Sequence, residues 1–325
     1  MTVLKTLIRR ELQEHKWALI YLPWIVALGM SIFVVLIYIG VTEIDTENFK
    51  FSTNIFAEPA FKQGMLESTP EQREAAMRAG LLVFGFPLVM ALGFAILAFS
   101  LSTFYDERKD KSIIFWRSMP VSDTFTVFSK LVVALFIAPL LIIPPLLVLH
   151  LVTVTASSIY FSISDMAPFF WVWTAYPYLD WIRTIFSLWI QSFWSLPIIT
   201  WIMLAGAYSR KPIIAAVLPP VVLAVLDTSG TFFTLFMDRL QPWSRTNSFP
   251  KEYQNLRVAE IDDIPLLFSM NEFWIGIIIG GIFIALTIYF RRKSYCMIIK
   301  ISKKVPADSV RQAKICHFVV QCFAN

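Results

Sequence analysis

Long apolar runs alternate with polar segments along the chain. Six runs stand out, at about residues 17–41, 80–104, 124–155, 183–208, 213–226 and 272–290. A helix needs roughly 20 mostly apolar residues to cross the hydrocarbon core of a bilayer, and most of these runs reach that length. The pattern predicts an all-α, polytopic integral membrane protein with six transmembrane helices.

The residues ahead of the first run have a helical period. Apolar side chains fall on one face, namely Leu4, Leu7, Ile8 and Leu12. Charged side chains occupy the other side, namely Lys5, Arg9, Arg10, Glu11 and Glu14. We interpret residues 1–16 as an amphipathic interfacial helix with its apolar face in lipid. The alternative, that they are only the basic flank of the first span, stays open.

The first run itself should remain as a membrane anchor. A basic flank followed by an apolar run can be a signal peptide, but this run is too long for one. The sequence after it, Ile39-Gly40-Val41-Thr42-Glu43, offers no small-x-small cleavage site.

Composition supports a membrane protein. Hydrophobic residues make up 57% of the 325 residues and charged residues only 16%, with a mean hydropathy of +0.64, whereas about a quarter of a soluble domain is charged. The chain holds no room for a large soluble domain besides the spans. Its net charge of +5 gathers at the ends of apolar runs rather than in a stripe, so nucleic acid is not an expected partner.

Lysine and arginine are distributed unevenly between the two sides of the runs. They precede the first run and follow the second, fourth and sixth, the last of these at Arg291-Arg292-Lys293. The positive-inside rule therefore places both termini and residues 105–123 in the cytoplasm. We predict a multi-pass protein of the cell (inner) membrane, divided into the helix 1–16, a permease domain 17–293 and an unassigned cytoplasmic tail 294–325.

The segments on the other side have their own patterns. Residues 42–79 are acid-rich, and Thr69-Pro70-Glu71-Gln72 is typical of a helix start. Residues 157–182 are crowded with tryptophan and tyrosine, which favours a membrane–water boundary over the alternative of a substrate path. In the third run, Pro139 and the pair Pro144-Pro145 predict a strong bend, and His150 is interpreted as a neutral, hydrogen-bonded side chain.

Catalytic and cofactor motifs are absent from the sequence. There is no GxxxxGK[ST] stretch, so the chain cannot bind ATP through a P-loop, and neither HExxH nor GxSxG occurs. The three histidines lie on different segments and the three cysteines form no CxxC, so we expect no metal, no cofactor and no enzyme activity. Carboxylates lie at the ends of the runs rather than in their centres, so the membrane part has no evident energy source of its own.

One charged segment lies between the second and third runs. Residues 104–123 read FYDERKDKSIIFWRSMPVSD, with six charged residues in succession and then an apolar patch. The segment is too polar for lipid and too apolar for a free linker. We interpret it as a short cytoplasmic helix at the membrane surface, held against a partner protein.

With these features in place, the chain resembles the permease subunits of ABC transporters of the type-2 exporter class. The positions that carry the resemblance are Glu107, Arg108, Lys109, Ile113, Ile114, Met119, Pro120, Val121, Ser122 and Lys130. A glycine is common in that family near the position of Ser112, which is a mild departure. The specific motif covers only residues 105–130, and the tail after residue 293 has no counterpart.

The resemblance implies that this loop contains a coupling helix that fits a groove on a separate ATPase subunit. The residues assigned to ATPase coupling are Glu107, Arg108, Lys109, Ile113, Ile114, Phe115, Trp116, Met119 and Pro120. It also implies a dimer of permeases working with two ATPase copies as an exporter, with the substrate unknown. Two alternatives remain from other classes: a secondary transporter driven by an ion gradient, and an intramembrane enzyme.

Overall fold

The part of the chain that the structure describes is helical apart from one short hairpin. The computed structural model describes residues 2–39, 43–46, 49–52, 63–64, 67–110, 121–165, 168–174, 180–240 and 264–302. The first elements are α1 (Thr2–Glu14), a π-helical turn (Trp17–Tyr21), α2 (Leu22–Ile39), β1 (Glu43–Thr46), β2 (Phe49–Ser52) and α3 (Pro70–Lys109). Next come α4 (Asp123–Val132), a second π-helical turn (Val133–Ile137), α5 (Ala138–Leu141), α6 (Ile143–Ile163) and α7 (Phe169–Thr174). The last are α8 (Asp180–Trp194), α9 (Leu196–Tyr208), α10 (Pro212–Leu226), α11 (Thr231–Leu240), α12 (Ile264–Ser269) and α13 (Asn271–Ser302).

Four helices in the described part of the chain are long and apolar enough to cross a membrane. They are Trp17–Ile39, Pro70–Lys109, Asp123–Ile163 and Asn271–Lys293. The pair Thr184–Trp194 and Leu196–Tyr208 makes a fifth if it counts as one span. The helical membrane fold is therefore confirmed, whereas the number six is not, because α10 has 15 residues and reaches only about 22 Å at 1.5 Å per residue.

The acid-rich region after the first span contains the hairpin. β1 and β2 pair antiparallel, with Ile44 opposite Phe51, so the all-α prediction needs this small addition. Further along, the helix start at Thr69 is confirmed. The Thr69 hydroxyl accepts from the Gln72 backbone N–H, and the Gln72 side chain accepts from the Thr69 N–H, which forms a capping box.

The strong bend lies elsewhere than predicted. Residues 123–163 run as one candidate span, because the chain accommodates Pro139 in a short helix directly after a π-helical turn and places Pro144 and Pro145 at the start of α6. The 57° bend is instead between α8 and α9 at Ser195, followed by Pro197 in the first turn of α9. Proline in a first turn removes an N–H that would have no intrahelical partner there, so it marks a new helix.

The apolar face of the amphipathic helix α1 packs in part on the protein. Leu7 is buried, and Ile8 and Leu12 are partly buried against the main core. That core gathers side chains from α2, α3, α4, α6, α8 and α9, among them the fully buried Phe99 and Leu149. The packing draws the N-terminal helix against the end of α3 and the start of α4.

Candidate functional site

Charged side chains meet where α1, the end of α3, the start of α4 and the end of the last span converge. We call Arg10, Glu11, Thr103, Glu107, Asp123, Lys130 and Arg291 the ion network. Its three cations face three carboxylates, and Arg291 lies 168 residues from its partner Asp123 in sequence. Buried charges are tolerated only when paired and hydrogen-bonded, so the arrangement is a strong constraint on these helix ends.

Lys130 is the centre of the ion network and is fully buried. Its Nζ lies 2.9 and 2.8 Å from the two oxygens of Glu11 and 2.7 Å from the Thr103 hydroxyl. The same Nζ is 3.0 Å from Glu107 Oε1. Thr103 in turn donates to Glu11 Oε2 at 3.0 Å. An ammonium with three donors is thus surrounded by acceptors from α1 and α3.

Glu11 is an ionised carboxylate inside the protein. Burial raises its pKa, but the positive charges of Lys130 and Arg10 and their hydrogen bonds outweigh this and lower the pKa from 4.5 to about 2. Arg10 also contacts Glu107 Oε1 at 3.0 Å. The Glu11 carboxylate is therefore ionised at neutral pH, and it links α1 to α3.

Arg291, near the end of the last candidate span, joins the ion network from the opposite side. Its Nη1 lies 3.0 Å from Glu107 Oε2 and its Nε donates to Asp123 Oδ1 at 3.0 Å. The side chain is 3% exposed, and Lys130 and Arg291 both lie over the ring of Phe104, at 5.2 and 5.7 Å from its centroid. Helix α13 is therefore held to both α3 and α4.

Arg108 makes a separate contact with the turn between α9 and α10. It donates to the backbone carbonyl of Gly206 at 2.6 Å and to that of Ser209. A β-carbon at Gly206 would lie 2.6 Å from the carbonyl oxygen of Leu101, closer than real side chains approach. Glycine at this position thus lets α9 touch the backbone of α3 just before the charged segment begins.

The structure places the predicted coupling residues in different settings. Glu107 is buried in the ion network, Arg108 is half-buried against the α9–α10 turn and Lys109 is exposed. The remaining assigned residues, Ile113, Ile114, Phe115, Trp116, Met119 and Pro120, lie outside the described residues. After them, the Ser122 hydroxyl caps α4 by accepting from the Phe125 N–H at 3.2 Å.

Sequence reasoning missed the role of the buried charges. It assigned Glu11 to the polar side of α1, yet Glu11 is buried one turn after Leu7. The sequence contained one signal of this role, namely Lys130. It is the eighth residue of a helix that continues as an apolar run, and a lysine in that position needs a buried partner for its charge. The partners could not be named, since nothing local connects Lys130 to Glu11.

A metal site at the same place is not favoured by the geometry. Ligand atoms of Glu11, Glu14 and His15 lie within 4.8 Å of one another. However, both oxygens of Glu11 are bonded to Lys130, and a cation at that position would have to displace an ammonium. His15 instead packs edge-on against Phe99, with ring centroids 5.0 Å apart, and burial lowers its pKa.

An apolar cavity of about 680 Å³ lies between the C-terminal end of α2 and the C-terminal half of α6. Its walls are mostly aliphatic, and Tyr38 and Tyr160 contact each other across it with centroids 5.5 Å apart. Ile159, Tyr160, Ile163 and Ser164 of the aromatic segment contribute to its lining. His150 is buried deeper in α6, near Gly85.

Together the helix lengths and surfaces define a helical multi-pass membrane protein. Large apolar side chains such as Ile163 and Val225 are 78% and 77% exposed, and a bilayer would cover such surfaces. No protein-family model, curated protein or solved structure matches the chain. Any narrower assignment therefore depends on the residues themselves.

Proposed function

We propose that this chain is the permease subunit of an ATP-driven transporter of the ABC type-2 exporter class. Residues 111–120 dock on a separate ATPase subunit on the cytoplasmic side of the inner membrane. One observation carries the proposal: the chain leaves the ion network at Glu107 and returns to it at Asp123 and Lys130. Residues 111–120 are therefore flanked on both sides by helix ends that buried ion pairs hold together, and a docking loop that transmits force needs such a base.

The ion network gives the segment a way to transmit force. Removing one partner of a buried ion pair typically costs about 3–5 kcal/mol, so the helix ends resist separation. A push on residues 111–120 is then passed to α1, α3, α4 and α13 as one body, which is the rigid-body transition that alternating access requires. A flexible attachment would absorb the same push locally.

The distribution of buried charge supports an external energy source. Among the described residues, the buried charged side chains are Glu11, Glu107, Lys130 and Arg291, all in this one cluster. Ion-coupled transporters place such groups near the middle of the bilayer. ATP hydrolysis on a partner supplies what the membrane part lacks, and a dimer of permeases with both termini in the cytoplasm completes the assembly.

The proposal predicts that an adjacent reading frame encodes a P-loop ATPase, and the test uses that protein. It is co-purified with the wild-type chain, with Trp116→Ala and with Trp17→Ala. Trp17 is 69% exposed at the start of the first span, so it controls for loss of an interfacial tryptophan. A buried aromatic anchor contributes about 2 kcal/mol or more to binding, so Trp116→Ala should reduce recovery of the ATPase roughly tenfold or more while Trp17→Ala leaves it unchanged. Equal recovery with Trp116→Ala, together with full transport, would overturn the assignment.

A further inference from the structure

The same guanidinium contacts one carboxylate before residues 111–120 and one after them. Glu107, four residues before the segment, contacts Arg291 Nη1, and Asp123, three residues after it, contacts Arg291 Nε, each at 3.0 Å. Arg291 belongs to α13, the last candidate span, and is remote in sequence from both. The base of the segment is thus closed by a residue from another helix.

The orientation of Arg291 is not explained by membrane topology alone. Its neighbours Arg292 and Lys293 are exposed and suffice as a positive flank, whereas Arg291 is 3% exposed and turned inward. A guanidinium carries separated donors in a rigid plane, so it can hold two carboxylates at once. An ammonium is a compact point charge and cannot reproduce this geometry.

The other pairs of the ion network do not depend on Arg291. Lys130 joins α4 to Glu11 of α1 and to Thr103 of α3, and Glu107 also contacts Arg10 and Lys130. Loss of Arg291 therefore leaves α1, α3 and α4 connected and removes the charged link to α13. Substitution of Arg291 therefore tests the link to α13 separately from the links among α1, α3 and α4.

We propose that Arg291 is a positioning residue that makes the end of α13 move with the ATPase-docking segment. We call the contacts of Arg291 with Glu107 and Asp123 the clasp. The inference rests on the proposed function for its role in transport, while the clasp itself lies within this chain. Loss of Arg291 should leave ATPase binding and ATP hydrolysis intact and uncouple α13 from them. Loss of the docking contact, in contrast, removes ATPase binding.

The first arm of the experiment needs no ATPase. Spin labels are placed at Asp110→Cys and Lys293→Cys, both exposed positions, after Cys296, Cys316 and Cys322 are replaced by serine. Double electron–electron resonance should give a narrow distance distribution in the parent chain and in the control Arg292→Gln. Arg291→Gln and Arg291→Lys should broaden it, and Asp123→Asn provides a second, milder variant that removes one contact. Identical distributions in all chains would overturn the clasp.

The second arm uses the complex with the ATPase and labels at Lys293→Cys and at Val225→Cys, an exposed position near the far end of α10. ATP with vanadate should shift this distance in the parent complex and in Arg292→Gln, and the shift should be lost in Arg291→Gln although ATPase recovery and hydrolysis persist. A full shift in Arg291→Gln, or no shift in the parent complex, would overturn the inference. Failure of the parent chain to recover any ATPase would contradict the proposed function instead, and the first arm would still decide whether the clasp exists.

Discussion

Replacement of Lys130 by methionine is the most direct perturbation of the ion network. Methionine keeps most of the length of the side chain but removes the ammonium, which leaves Glu11 and Glu107 facing each other across the vacated position. Both carboxylates are buried, with Glu11 fully so, and solvent cannot replace the lost partner. The structure therefore predicts a large effect from a change that creates no cavity of note.

The magnitude follows from the burial of the pair. Breaking a buried ion pair by removing one partner costs about 3–5 kcal/mol. A loss of that size lowers the melting temperature of a mid-sized protein by on the order of 10 °C. Arg10 and Arg291 still neutralise part of the negative charge that loses its partner. The loss of stability should therefore lie near the lower end of the range of about 3–5 kcal/mol.

The assay is thermal unfolding of the purified chain in mild detergent, followed by size-exclusion analysis of the surviving fraction. Lys109→Met is the matched control, because Lys109 is exposed at the end of α3 and its loss should change the melting temperature little. The double variant Glu11→Gln with Lys130→Met should recover part of the loss, since it removes one charge of each sign. A melting temperature for Lys130→Met equal to that of Lys109→Met would refute the reasoning.

Three further predictions follow from the same contacts. Because the pKa of Glu11 is lowered to about 2 from 4.5, its contribution to stability is fully present above pH 4.5 and is lost as pH falls towards 2; melting curves of Glu11→Gln should lack this part of the acid dependence, and an unchanged acid dependence would contradict it. Gly206→Ala should destabilise the protein, since its β-carbon would meet the Leu101 carbonyl at 2.6 Å, whereas Gly93→Ala, with nothing within 4 Å, should be neutral or mildly stabilising in the same melting assay. Gly276→Ala should displace the Arg239 guanidinium from the Trp194 carbonyl and ring and cost less than Gly206→Ala, because a side-chain end can move where a backbone carbonyl cannot; a larger cost would show that Arg239 is rigidly held.

The spans and helix starts were predictable because their causes are local. The apolar run from residue 17 becomes the helix that ends at Ile39, and Thr69 caps a helix as its position indicates. A capping hydroxyl acts on an N–H two or three residues away, so the sequence contains both partners. The boundary of a span is likewise fixed by the solvation of its own side chains.

The ion network was not predictable because its causes are not local. Lys130 and Glu11 are separated by 119 residues, and each also has a plausible surface interpretation on its own helix. The predicted bend was misplaced for a related reason. The tertiary structure accommodates Pro139 directly after a widened, π-helical turn. The chain bends instead at Ser195, whose hydroxyl donates to the Arg239 carbonyl at 2.7 Å. In both cases packing between distant segments decides between local alternatives.

The ion network can lie inside the protein because its positive and negative charges nearly balance, and a substitution that removes one charge upsets that balance. Arg10, Lys130 and Arg291 face Glu11, Glu107 and Asp123, so no net charge has to be buried. Hydrophobic residues of similar size often stabilise as well as a buried ion pair or better, so stability alone does not account for the arrangement. Directional ion pairs fix one register of four helix ends, whereas apolar side chains could repack in several. A fixed register at the base of residues 111–120 is the property that force transmission needs, and it is the property that substitution of Arg291 or Lys130 should remove.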